Sequence, residues 1–160
     1  MVVRFTKNSP VALVDSITCV RPDGSSTTAD MRRIAILPHE AFHWVVESTL
    51  GWHDAFFGLI ARGDSLAHVT ATLHRQDGEW TKNIQAQQSE ALVESLSSEQ
   101  WAGPSDPATF AEKLIAACRR RGVLPPDITA DELDTIRRAL REFGALWRPL
   151  LPGHSIERSF

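Results

Sequence analysis

The sequence predicts an α+β domain, with about three antiparallel strands at the N-terminus, a mostly helical remainder and a C-terminal edge strand. Two patterns predict it. Residues 1–36 hold short runs rich in Val, Ile and Thr, broken by Asn8-Ser9-Pro10 and Pro22-Asp23-Gly24, as strands joined by turns are. Residues 37–148 instead carry apolar side chains at three-four spacing between helix caps, and residues 149–160 form a tail or edge strand. At 160 residues with 42% hydrophobic content, residues 1–160 suit a single domain around one core.

The net charge of −3 implies no strong attraction to nucleic acid or to an anionic membrane. No apolar run is long enough to span a bilayer, and the N-terminus lacks the apolar region of a signal peptide. Cys19 and Cys118 are far apart and have no neighbours at metal-ligand spacing, which fits free thiols in a reducing compartment. A cytoplasmic protein is expected.

Taken in order, residues 2–6 and 11–21 are expected as strands. The second mixes Val14, Ile17, Cys19 and Val20 with Ser16 and Thr18, a half-buried pattern. Ser25 to about Ile36 returns as a third strand, and Asp30, Arg32 and Arg33 form a solvated face. No Gly-rich phosphate loop joins a strand to a helix, so nucleotide binding has no support.

The next helix is the informative one. Pro38 suits a first helical turn and Gly51 suits the residue past the end, which bounds a helix at about 38–50. At about 100° per residue, Phe42, Val45, Val46, Thr49 and Leu50 make one apolar arc. His39 and His43 fall on its edge, with Glu40 and Glu47 toward the polar side. Trp44 lies off the arc and must pack elsewhere or line a surface groove. His39-Glu40-Ala41-Phe42-His43 is a His-Glu-x-x-His pattern, which puts two imidazoles one turn apart on one face. Such a pair can hold a cation while the adjacent Glu takes a proton from water. Glu47 continues the line and is a candidate third ligand. It lies about 12 Å along the axis from His39, a span better suited to orienting a His from behind. His53 is the other candidate, and Asp54, His68 and His74 also lie downstream. The competing reading is a pair of hydrogen-bonded boundary histidines and no metal.

Asp54 suits an N-cap for a short buried helix over 55–61, ending at Gly63. Residues 65–74 fit a strand or a helix, and their helix-rich surroundings favour a helix. A turn at Gln76–Glu79 leads into a polar segment reaching Gln88, with Trp80 inside it, expected as an ordinary surface loop and also placed to cover a site. A helix from Ser89 to about Ala102 turns Leu92, Val93 and Leu96 inward. Its Glu90 and Glu94 share a face and are expected to form a solvated acidic surface, although such a pair can ligate in principle. Asp106-Pro107 opens a helix that buries Phe110, Leu114, Ile115 and Cys118 and ends in Arg119-Arg120-Arg121, cations that complement a helix C-terminus. Thr129 and Glu132 form a capping box for a helix with Leu133, Ile136, Leu140, Phe143 and Trp147 on one face. That face suits the core and also offers a homo-oligomer contact. His154 to Phe160 then suits the edge strand.

The five residues His39–His43 resemble the motif of the zincin metallopeptidases. The resemblance implies zinc, with His39 and His43 as ligands and Glu40 as general base. The chain departs from the longer metzincin pattern, with Val46 at the position of the turn glycine and Thr49 at that of the third His. No downstream ligand Glu is recognisable by motif. Leu37 to Gly51 also resembles a group of bacterial proteins of unassigned activity, with Leu-Pro-His, then Asp or Glu, then His and a Val-Glu pair. Asp in place of Glu40 there weakens the base role. The expected function is a zinc-dependent hydrolase, metallopeptidase-like in its metal-activated water. The alternative is a non-enzymatic helical binding or regulatory module in which the motif is coincidental or vestigial. A purely structural metal would need four protein ligands.

Overall fold

Alternation in the N-terminal residues becomes an antiparallel sheet in the computed structural model, which describes residues 1–33, 35–73 and 82–160. The strands are β1 (Val2–Thr6), β2 (Val14–Val20), β3 (Ser26–Arg32) and β4 (Ser155–Ser159), in the order β3-β2-β1-β4. Phe5 stands opposite Ile17 on one side and Ile156 on the other, and Val3 opposite Cys19. Because side chains alternate across a strand, this register places Val3, Phe5, Ile17, Cys19, Met31 and Ile156 on one buried face. The other face carries polar cross-strand pairs such as Thr18 with Thr28 (2.9 Å) and Arg4 with Glu157 (2.7 Å). The C-terminal segment does return as the edge strand, and the two chain ends meet: the Met1 amine donates to the Phe160 carbonyl at 2.7 Å.

Two strand boundaries differ from expectation. β2 begins at Val14, leaving Val11 and Leu13 exposed in the preceding turn. β3 ends at Arg32. The Arg33 side chain folds back onto the Asp15 carboxylate (2.6 Å) and the Asn8, Ser9 and Ala12 carbonyls. Arg33 is therefore not part of a free solvated face, and its five-donor fork ties the β1–β2 turn to the end of β3. Ile36 leaves the sheet as partly exposed irregular chain.

The helices are α1 (His39–Leu50), α2 (Phe56–Ala61), α3 (Leu66–Leu73), α4 (Ile84–Ala102), α5 (Pro107–Arg120) and α6 (Ala130–Trp147). Their starts are set by local chemistry. Asn83 caps α4 through the Ala86 N–H, Asp106 caps α5 through Ala108 and Thr109, and Thr129 with Glu132 forms the capping box of α6. Gly51, at φ 64°, ends α1 in the left-handed conformation that suits glycine. The ambiguous 65–74 stretch is helical as α3 through Leu73. Residues 84–88, expected in a polar segment, are the first turn of α4, because the Asn83 cap lies ahead of them. The Gln76–Glu79 turn, Trp80 and His74 lie outside the described residues. Ile115 is 43% exposed rather than buried, since α5 packs against α4 through Phe110, Leu114, Ala117 and Cys118 instead.

α1 lies between α4 and α6, with α2 at its C-terminal end. Phe143 of α6 meets Phe5 of the sheet edge-to-face at 5.1 Å, and Trp44 of α1 reaches both: its ring lies 6.4 Å from Phe143, and its indole donates to the Ser159 carbonyl at 3.0 Å. Trp44 thus finds the packing its off-arc position demanded. Leu133, Ile136, Leu140, Phe143 and Trp147, the stripe that also offered a homo-oligomer contact, are taken up by the chain's own core. Among the described residues no helix is long and apolar enough to cross a membrane.

Candidate metal centre

The site begins where α1 begins. Pro38 is extended at φ −55° and ψ 139°, and His39 is the first helical residue, so His39 and His43 occupy the first and second turns of one face. Their Nε2 atoms lie 3.2 Å apart. α4 packs along α1 and brings Glu90 to the same point, with its Oε1 3.3 Å from His43 Nε2. One ligand atom from each of His39, His43 and Glu90 falls within 4.8 Å of the others, close enough to hold a metal ion. Four-coordinate zinc at 2.0–2.1 Å from each ligand sets its ligand atoms about 3.3 Å apart. The edges of 3.2 and 3.3 Å match that spacing. Two imidazoles and one carboxylate are also a donor set used by catalytic zinc, which keeps a fourth position open. His43 is 1% exposed and Glu90 4%, whereas His39 is partly exposed and forms the solvent side of the group.

The other ring nitrogen of His43 is held from behind. Its Nδ1 lies 3.3 Å from Glu47 Oε1 and 3.1 Å from Ser89 Oγ, and Ser89 donates to the same Glu47 oxygen at 3.1 Å. The second oxygen of Glu47 accepts the Phe57 backbone N–H, at the start of α2, at 2.8 Å. The Phe56 ring stacks on the His43 ring at 5.0 Å. Gly58 lets α2 fold tightly onto the connection that precedes it, since a Cβ there would lie 2.0 Å from the His53 carbonyl oxygen. Burial by itself would keep His43 neutral. The Glu90 charge, reinforced by the hydrogen bonds and charge of Glu47, outweighs that and raises its pKa to about 10. Without a metal the ring is an imidazolium between two carboxylates.

Glu90 in turn faces Arg121, whose Nη2 lies 3.9 Å from its second oxygen. Arg121 also pairs with Glu94 at 3.1 Å, and Arg120 pairs with the same carboxylate. The end of the basic triplet therefore reaches across to α4 instead of only completing its own helix.

The structure brings together His39 and His43, as the motif suggests, and places none of the other expected ligands in the converging group with them. Glu47, expected toward the polar side, is fully buried on the Nδ1 side of His43. Glu40 is half-buried on the first turn of α1. The His53 ring packs against Phe160 at 6.1 Å, Asp54 pairs with Arg62 at 2.5 Å, and His68 is exposed on α3. None of these belongs to the converging group. His74 lies outside the described residues. The expectation of a solvated Glu90–Glu94 face holds for Glu94 alone. Glu90 is buried because it stands one turn before Val93, on the side of α4 that meets α1. An acid in line with an inward Val was the available signal. Two clefts, of about 250 and 400 Å³, border α6, and neither is lined by His39, His43 or Glu90. The chain matches no family model, no curated protein and no solved structure.

Proposed function

We propose that the protein is a metal-dependent hydrolase that binds one zinc ion through His39, His43 and Glu90. The observation that carries this reading is the convergence of two imidazole nitrogens and one carboxylate oxygen within 4.8 Å of one another. Zinc bound there would supply Lewis acidity, making water more acidic and polarising a substrate carbonyl. The chain's own residues do the rest. Glu47 and Ser89 hold the His43 ring through Nδ1, so that the lone pair of Nε2 is free to ligate. Hydrogen bonds from Ser89 and the Phe57 amide fix the Glu47 carboxylate in that position. Glu40, next to His39 in the first turn of α1, takes a proton from the attacking water and returns it to the leaving group. Substrate approaches past His39, the most exposed member of the group.

Two observations favour a second reading. An imidazolium at His43 is satisfied by Glu47 and Glu90 without any metal, and neither described cleft includes the group. In that case the cluster is a buried ionic tie among α1, α2 and α4 in a non-enzymatic binding module. Elemental mass spectrometry of tag-free protein, as purified and after zinc reloading, decides between the two. About one zinc per chain, lost in the His39→Ala/His43→Ala variant, supports the metal centre. No zinc after reloading supports the ionic tie. Given a metal, Glu40→Gln should abolish turnover and keep the zinc, and loss of both together would remove Glu40 from the base role.

A further inference from the structure

The 250 Å³ cleft between α1, α4 and α6 is separate from the metal ligands. Its apolar wall is made by Leu37, Phe42, Leu96 and Leu140, all buried core residues that here border open space. The volume is below the roughly 300–1,000 Å³ of sites for drug-sized ligands, so the cleft suits a smaller body.

Its charges divide into two kinds. Glu99 and Arg137 satisfy each other through two hydrogen bonds of 2.9 and 2.6 Å. Burial alone would raise the Glu99 pKa, but the hydrogen bonds from Arg137 and Ser105 outweigh it and hold the carboxyl below its usual range. That pair adds no net charge to the cleft. Arg141 and Arg148 also line it and are exposed, and among the described residues neither guanidinium has an ion pair or hydrogen bond. They stand two turns apart on one face of α6 and its C-cap. Gly144 lies between them. A Cβ there would come within 3.3 Å of both Arg148 Nη2 and Leu37 Cδ2, so the missing side chain lets the Arg148 guanidinium lie at the edge of the apolar wall. In the neighbouring cleft, Lys7 is committed to the Trp147 and Arg148 carbonyls and Arg33 to Asp15, while Arg32 and the same Arg148 also line it.

We propose that this cleft binds a small organic carboxylate with an apolar body. The body lies against Leu37, Phe42, Leu96 and Leu140, and the carboxylate meets Arg141 and Arg148. Planar guanidinium forks match a carboxylate with two parallel hydrogen bonds, and their position on the rim of an apolar wall selects for both halves of such a ligand. The protein's net charge is −3, so the attraction is local to this rim and is not a property of the whole surface.

Octanoate is the probe, with octanol (the same body without the charge) and acetate (the charge without the body) beside it. Calorimetric titrations use protein stripped of metal and dialysed free of chelator, which makes the outcome independent of the zinc site. Octanoate should saturate one site per chain with an affinity at least tenfold above that of octanol or acetate. Arg141→Gln/Arg148→Gln should raise its Kd at least tenfold while leaving the thermal unfolding midpoint unchanged, since both side chains are exposed. The absence of saturable octanoate binding, equal affinity for octanol, or an unchanged Kd in the double variant would overturn the proposal.

Discussion

Glu90→Gln separates a third metal ligand from a buried ion-pair partner, because it keeps the shape of the side chain and removes its charge. Glu90 Oε1 lies 3.3 Å from His43 Nε2, which itself lies 3.2 Å from His39 Nε2. A four-ligand structural zinc site binds with about 10–16 kcal/mol, or about 2.5–4 kcal/mol for each ligand. Loss of one ligand then weakens zinc binding about 10²–10³-fold. Glu47→Gln acts only through the far nitrogen of the same ring and should cost less, about 10–100-fold. Competition for zinc against a chromophoric chelator at neutral pH measures both. Arg121 keeps its contact with Glu94 in the Glu90 variant, so that side chain is not stranded. Melting curves of the two metal-free variants check that each still folds. A Glu90→Gln protein that holds zinc like the wild type, or a larger loss in Glu47→Gln, would refute Glu90 as the third ligand.

Two more expectations follow from the same structure. In metal-free protein the His43 pKa is raised from 6.5 to about 10, so folding is coupled to binding that proton more tightly. The resulting stability is fully present below about pH 6.5 and lost as the pH rises to about 10, and the thermal midpoint should fall across that window. Zinc uptake within the window should release close to one proton per ion, measured by titration in weak buffer. A pH slope that survives unchanged in His43→Gln would assign it to another group. In the core, Phe143 is 1% exposed and packs its ring against Phe5, Trp44 and Trp147. Phe143→Ala should cost about 3–5 kcal/mol in urea unfolding. A loss below about 1 kcal/mol would mean that the sheet and α6 are not joined through this ring.

Much of the fold is written locally. The capping box at Thr129 and Glu132, the Asp106-Pro107 start and the Gly51 stop each act within a few residues, and each bounds a helix where its chemistry is read. Three-four spacing placed Leu133, Ile136, Leu140, Phe143 and Trp147 in the core, and the β-branched runs gave the strands. Boundaries were less legible where a distant group decided them. β3 stops at Arg32 because Arg33 turns toward Asp15, which residues 25–36 by themselves do not reveal.

The candidate site divides in the same way. His39 and His43 were legible as a pair because helical periodicity alone brings residues four apart onto one face. The same periodicity set Glu47 about 12 Å along the axis from His39, too far for easy sharing of one ion. Glu90 was not legible as their partner. Its position depends on how α4 packs along α1, and no rule of spacing within one helix contains that information. The burial of Glu47 belongs to the same class: its carboxylate is held by Ser89 of α4 and the Phe57 amide of α2, side by side only after the helices pack. What the sequence by itself determined was the set of elements and the paired histidines, since both follow from chemistry within a turn or two. Only the tertiary structure decided which carboxylate faces Nε2 of His43 and which supports its other nitrogen, because that choice depends on contacts between helices far apart in the chain.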